Sequence, residues 1–159
     1  MTPGKEKTTS DKEISVKGKI AYDNGAVYEG DLKNGEPHGK GVYYRPDGSV
    51  EYDGEWDENE YHGYGAYYRK DGTVAYVGER EYNEFHGKGV YHRSDGTIEY
   101  DGEWYESEYH GKGISYRLDG TIEYDGEWDE GDRHGKGVSF HKDGTVEHDG
   151  MWEYGKFVG

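Results

Sequence analysis

Hydrophobic and polar residues alternate in short bursts along most of this chain, and the bursts recur. In Val50-Glu51-Tyr52-Asp53-Gly54-Glu55-Trp56 the residues Val50, Tyr52, Gly54 and Trp56 alternate with acids. A period of two places the large apolar side chains on one face of a strand and the carboxylates on the other. A second pattern, Gly63-Tyr64-Gly65-Ala66-Tyr67-Tyr68, follows within a few residues. Its glycines lower strand propensity, so they mark close approaches or bends. Gly54 and Gly63 are expected to form floors for rings from neighbouring strands. No sustained i, i+3, i+4 apolar spacing occurs, so no helix is predicted.

The two patterns alternate through the chain with a fixed period. His38, His62, His86, His110 and His134 are 24 residues apart, and each is followed by Gly-x-Gly. Such a period means one supersecondary unit stacked on copies of itself. Full copies start at Tyr28, Tyr52, Tyr76, Tyr100 and Tyr124, and a partial copy starts at His148. Residues 17–25 form a half-copy that fits an N-terminal cap. Two turns join the strands. Asp47-Gly48, Asp71-Gly72, Asp95-Gly96, Asp119-Gly120 and Asp143-Gly144 are hairpin signals. The other turn is centred on Gly35, Asn59, Asn83, Ser107, Gly131 and Gly155. Five of these six tolerate a positive φ well, and Ser107 is the exception. Residues 1–15 are polar and aperiodic and are expected to be a disordered tail, with the array over 16–159. The last strand, His148 to Trp152, is expected to be an unpaired edge open to self-association.

Composition changes the picture in one respect. Only 30% of the 159 residues are hydrophobic, and 16% are aromatic, with 18 Tyr. That is too little apolar mass for an ordinary closed core, but repeats stacked on their neighbours need none. The net charge of −16 repels phosphate backbones and anionic lipid, which argues against nucleic acid and a membrane surface as partners. With no cysteine, thiolate chemistry is excluded. Met1 to Ser10 has no apolar secretory core, and no stretch reaches the ~20 apolar residues of a membrane span, so the expected location is cytoplasmic.

The candidate chemistry is thin. Histidines two strands apart stand about 9.5 Å from one another, too far for one ion, and are expected to bond local backbone. The acids are expected to be solvated. No nucleophile, paired desolvated carboxylates or phosphate-cradling loop stands out, so no catalytic residue, cofactor or metal is expected. The remaining signal is the aromatic stripe Tyr52, Trp56, Tyr76, Arg80, Tyr100, Trp104, Tyr124 and Trp128. At the Trp position the copies read Leu32, Trp56, Arg80, Trp104, Trp128 and Trp152. Arg80 alone places a charge on the apolar face. A guanidinium there can stack on rings and still donate to an acceptor of a bound partner.

The run Tyr124-Asp125-Gly126-Glu127-Trp128-Asp129-Glu130-Gly131-Asp132-Arg133-His134-Gly135-Lys136-Gly137 resembles the MORN repeat, and the likeness extends over about residues 17–159. The resemblance implies an all-β, elongated single-layer antiparallel sheet of successive hairpins, curled into a groove lined by aromatics. It implies a non-catalytic scaffold that holds a protein segment. An acidic groove would suit a basic, amphipathic one. Phospholipid binding and a self-associating spacer, a homodimer through the C-terminal edge, are the alternatives. One departure is regular: the family unit is usually 23 residues, and all but the first copy here carry one more. A longer or bulged loop is the expected consequence.

Overall fold

The computed structural model describes residues 15–159. They form thirteen strands and no helix: β1 (Val16–Ala21), β2 (Val27–Lys33), β3 (Glu36–Tyr44), β4 (Val50–Asp57), β5 (Glu60–Tyr68), β6 (Val74–Glu81), β7 (Glu84–His92), β8 (Ile98–Tyr105), β9 (Glu108–Tyr116), β10 (Ile122–Asp129), β11 (Asp132–Phe140), β12 (Val146–Glu153) and β13 (Lys156–Phe157). Each strand pairs antiparallel with the next, in one open sheet without a crossover. The tail expected over residues 1–15 falls, but for Ser15, outside the described residues.

One face carries the core. Tyr28, Tyr52, Tyr76, Tyr100 and Tyr124 are fully buried, and Trp56, Trp104, Trp128 and Trp152 nearly so. Glycine makes this possible. Gly54 lies opposite Gly41 and Gly65 in register, and the Tyr52 ring crosses the Gly54–Gly65 pair. A Cβ on Gly65 would stand 2.3 Å from the Tyr52 hydroxyl oxygen. The ring therefore lies flat on bare backbone, and its hydroxyl donates to the Glu55 carbonyl at 3.0 Å. Gly54 forms a floor as expected, but its partner in that role is Gly65. Gly63 has φ +57, and a Cβ there would meet the Glu55 carboxylate. Three residues, His62 to Tyr64, face Glu55 alone, which makes a bulge. The Glu55 carboxylate closes it by accepting the Tyr64 N–H at 2.8 Å. Glu103 and Glu127 do the same for Lys112 and Lys136. These acids are therefore not merely solvated.

The tryptophans join the copies. The Trp56 indole N–H donates to the Gly41 carbonyl at 3.0 Å, fifteen residues back, and the bond recurs at Trp104, Trp128 and Trp152. The Trp56 ring stands edge-on to both Tyr28 and Tyr52. At the far end of four of the hairpins an arginine, Arg45, Arg69, Arg93 or Arg117, makes a second clip. Arg45 reaches its own turn at the Val50 carbonyl, 2.8 Å, and the next hairpin at the Tyr68 carbonyl, 2.5 Å.

Both turns are resolved in detail. At Asp47-Gly48 a three-residue loop ends in Gly48 at φ 85, and the Asp47 carboxylate accepts from the Ser49 N–H and hydroxyl. The loop of the shorter first copy makes the same backbone bonds. The extra residue sits in the following strand instead. Glu51, Ala75, Glu99, Glu123 and Glu147 have no opposite partner, whereas β1 and β2 pair without a break. At the other turn all six residues from Gly35 to Gly155 take a positive φ, Ser107 included at 67.

The C-terminal edge differs from expectation. β12 is covered by β13 (Trp152 with Phe157, Glu153 with Lys156), and the Met151 N–H donates to the Gly159 carbonyl. The edge expected over His148 to Trp152 is thus covered at Met151 and Trp152, while His148 to Gly150 have no paired strand on that side.

Candidate partner-binding groove

The eight residues of the predicted stripe do share one face, but they form its floor. Tyr52, Tyr76, Tyr100 and Tyr124 have no accessible surface, and Trp56, Trp104, Trp128 and Arg80 retain 5–8%. A second layer of rings lies over them. Tyr61 stacks on Tyr52 with centroids 4.1 Å apart, Phe85 on Tyr76 at 3.9 Å and Tyr109 on Tyr100 at 3.9 Å. A parallel row, Tyr43, Tyr67 and Tyr91, pairs across the strands with the floor tyrosines. These half-buried rings, and not the floor beneath them, are the accessible part of this face. The sequence did hold a signal for the first row: the residue before each histidine, Pro37, Tyr61, Phe85, Tyr109 and Arg133, is aromatic in three copies of five. Reading the second strand from Gly63 left it out, whereas the strand begins at Glu60.

Carboxylates border the trough. A concavity of about 420 Å³ is lined by Phe85, Tyr91, Trp104 and Tyr109 with Glu99, Glu108 and Glu130 at its rim. A second, of about 330 Å³, continues it past Tyr109 to Arg93, Ser115, Glu123, Trp128 and Arg133. The bulge residue Glu99 is held by the Tyr109 hydroxyl at 3.0 Å and by Arg93 Nε at 3.5 Å. Burial and the Glu99 carboxylate both push the Tyr109 phenol well above its ordinary range.

Arg80 interrupts the tryptophan row. The buried rings separate there into Tyr28–Tyr52–Trp56 and Tyr76 through Trp152, and Tyr67 touches both groups. Its guanidinium does not reach out to solvent. It lies within 6 Å of the centroids of Tyr52, Tyr61, Tyr67 and Phe85. One nitrogen donates to the Asn83 carbonyl, and Nε and Nη1 are buried without an acceptor. The same copy carries Ala75 for the bulge glutamate and Phe85 for the tyrosine that would bond it.

The histidines face side chains, not backbone. His38 meets Asp57 at 3.0 Å, His86 meets Glu81, and His110 meets Asp129. His62 and His134 lie against the rings of Tyr82 and Tyr154. Among the described residues no three His, Asp or Glu side chains are grouped to hold a metal ion.

A linear stack of similar hairpins, with tyrosine laid over paired glycines and tryptophan bridging most copies, defines an aromatic-cored β-repeat array. The chain belongs to the MORN repeat family, which matches residues 28–50, 52–74, 76–98, 100–122 and 124–146. The single residues between these matches, 51, 75, 99 and 123, are the bulge positions. MORN repeats are non-catalytic modules that generally bind protein or membrane. A comparison with curated proteins finds no match. No helix among the described residues is long and apolar enough to cross a membrane.

Proposed function

We propose that the ring face holds a basic, amphipathic segment of a partner protein, with no chemistry performed on it. The observation that carries this reading is the acid-rimmed aromatic trough over Phe85, Tyr91, Trp104 and Tyr109. Aromatic side chains that are half-buried and bordered by charge are favoured binding anchors. The rim carboxylates would attract lysine and arginine and speed encounter. They would repel an anionic leaflet, so protein is favoured over lipid. The stripe from Tyr52 to Trp128 supports the outer rings from below. Arg80 is buried among Tyr61, Tyr67 and Phe85, so it would act by holding those rings in place and not by touching the segment.

Fluorescence anisotropy tests this with a labelled Lys/Leu amphipathic peptide, its Glu/Leu counterpart, and phosphatidylserine vesicles as competitor. The basic peptide is expected to bind, the acidic one to fail, and the vesicles to leave binding unchanged. Tyr109→Ala should weaken binding about tenfold, in keeping with loss of one aromatic anchor. Arg80→Trp should keep or raise the melting temperature and leave binding within about twofold, since the buried guanidinium does not meet the segment. Equal binding of both peptides, or capture by the vesicles, would overturn the reading.

A further inference from the structure

The array predicts its own rings, and at one position a ring is missing. The position five residues after each histidine reads Tyr43, Tyr67, Tyr91, Ser115 and Ser139. In the first three the phenol leans on the groove. Tyr43 lies 6.2 Å from Trp56 and Tyr91 lies 6.3 Å from Trp104. Each later one is capped by the arginine of the preceding hairpin, Arg45 over Tyr67 and Arg69 over Tyr91, both at 5.8 Å. Arg93 and Trp128 are the equivalent cap and wall at the next copy, and between them stands Ser115. A hydroxymethyl group replaces a phenol, and the second concavity, about 330 Å³, opens there.

Ser115 supplies an independent sign that the space is meant for something. It is 93% buried, since it retains 7% of its surface, and its Oγ has no hydrogen-bond partner. Buried hydroxyls are ordinarily satisfied. Ser139, the same substitution one copy later, is satisfied: its Oγ bonds Glu147 and His148. The walls at Ser115 are already fixed. Arg93 is tied by carbonyl bonds to Ile98 at 2.6 Å and Tyr116 at 2.5 Å, and Trp128 by its bond to Gly113.

We infer that the gap between Arg93, Ser115 and Trp128 is a socket for an aromatic side chain of the partner, tyrosine in the first place. The ring would occupy the place that Tyr91 fills within its own copy. Arg93 would cover its face, Trp128 would meet it at a tilt as Trp104 meets Tyr91, and a phenolic hydroxyl would meet the polar groups that line the socket. This rests on the groove reading, and it adds the anchor that sets the register of the bound segment.

The test uses the full chain and p-cresol as the probe. In titrations followed by NMR, the Arg93 Nε–H, Trp128 indole N–H and Ser115 amide resonances are expected to shift saturably. 4-Methylcyclohexanol, which has similar bulk and no π face, should shift them little. Ser115→Tyr restores the residue of the first three copies, so it should raise the melting temperature and abolish the p-cresol response. Ser115→Ala keeps the space but removes the unpartnered hydroxyl, so it should keep a saturable response at weaker affinity. No saturable shift in the wild-type chain overturns the socket, as does equal binding of the saturated analogue or an undiminished response in Ser115→Tyr. A second arm separates the two readings. A Lys/Leu peptide with one Leu→Tyr change should bind the wild-type chain about tenfold tighter than its parent and gain nothing on Ser115→Tyr. If p-cresol binds and neither peptide does, the socket stands and the groove reading falls.

Discussion

At the scale of the residue, the fold depends on what glycine lacks. A Cβ on Gly102 would stand 2.4 Å from the Gly113 Cα and 2.7 Å from the Lys112 carbonyl oxygen. Both are backbone atoms and cannot yield cheaply. Gly102→Ala, a change that raises strand propensity in isolation, is therefore expected to destabilise the chain by about 1–3 kcal/mol through overpacking. Glu103→Gln, one residue on, leaves an acceptor for the Lys112 N–H and should cost less than about 1 kcal/mol. Thermal denaturation of the two variants checks the order, and equal losses would mean that the Tyr100 ring does not lie on bare backbone. Alternation placed Tyr52, Gly54 and Trp56 on one face correctly, but it failed at the bulge, where Glu51 and Glu99 turn onto the ring face to meet Tyr61 and Tyr109 and Val50 leaves it. The role of the other acids was not readable either, because Glu55 and Glu103 point away from the rings yet close a bulge that only the paired strand reveals.

At the scale of the element, the repeat unit was legible down to its two strands, and the differences lie where strands meet. The extra residue of the 24-residue copies is a strand bulge, not a longer loop, since the loop bonds are the same with and without it. β13 was missed because two residues carry no alternation. Ser107 was singled out as the poor fit at its turn, and the structure shows the turn forming nonetheless. Its N–H donates to the Phe85 carbonyl of the preceding hairpin, and its Oγ accepts the Phe85 N–H at 3.2 Å. Asn83 makes the same pair of bonds to Tyr61, with its side-chain acceptor at 2.8 Å. Asparagine tolerates the left-handed region better than serine. Ser107→Asn should accordingly stabilise the chain by about 0.5–1 kcal/mol, read as a higher midpoint in urea with an unchanged slope. An unchanged or lower midpoint would show that the clip to the neighbouring hairpin costs Ser107 nothing in strain.

At the scale of the whole molecule, repetition multiplies small local couplings to pH. Burial raises the phenol pKa of each floor tyrosine, to about 12 at Tyr28, Tyr52 and Tyr124, from an ordinary value of 10.0. A raised value means that the fold favours the neutral phenol. That contribution is complete below pH 10 and is lost as pH climbs through the folded values. The turn aspartates run the other way. Asp47, Asp71, Asp95, Asp119 and Asp143 are all lowered, first by the Ser or Thr hydroxyl two residues on, and Asp119 falls to about 2. Their contribution is complete above the ordinary 3.8 and shrinks as pH falls beneath it. Stability should thus form a plateau between about pH 4 and 10 with a loss at each end. The alkaline limb is the more telling, because all five floor tyrosines are fully buried and three of them, Tyr52, Tyr76 and Tyr100, lie under a second layer of rings. Circular dichroism and phenolate absorbance, followed together with rising pH, should show those tyrosines ionising in the same step in which strand signal is lost. If all eighteen tyrosines ionised near pH 10 while the strand signal held, the floor would be open to water. The outer rings would then be free to move aside, and the groove would have no fixed lining to offer a partner.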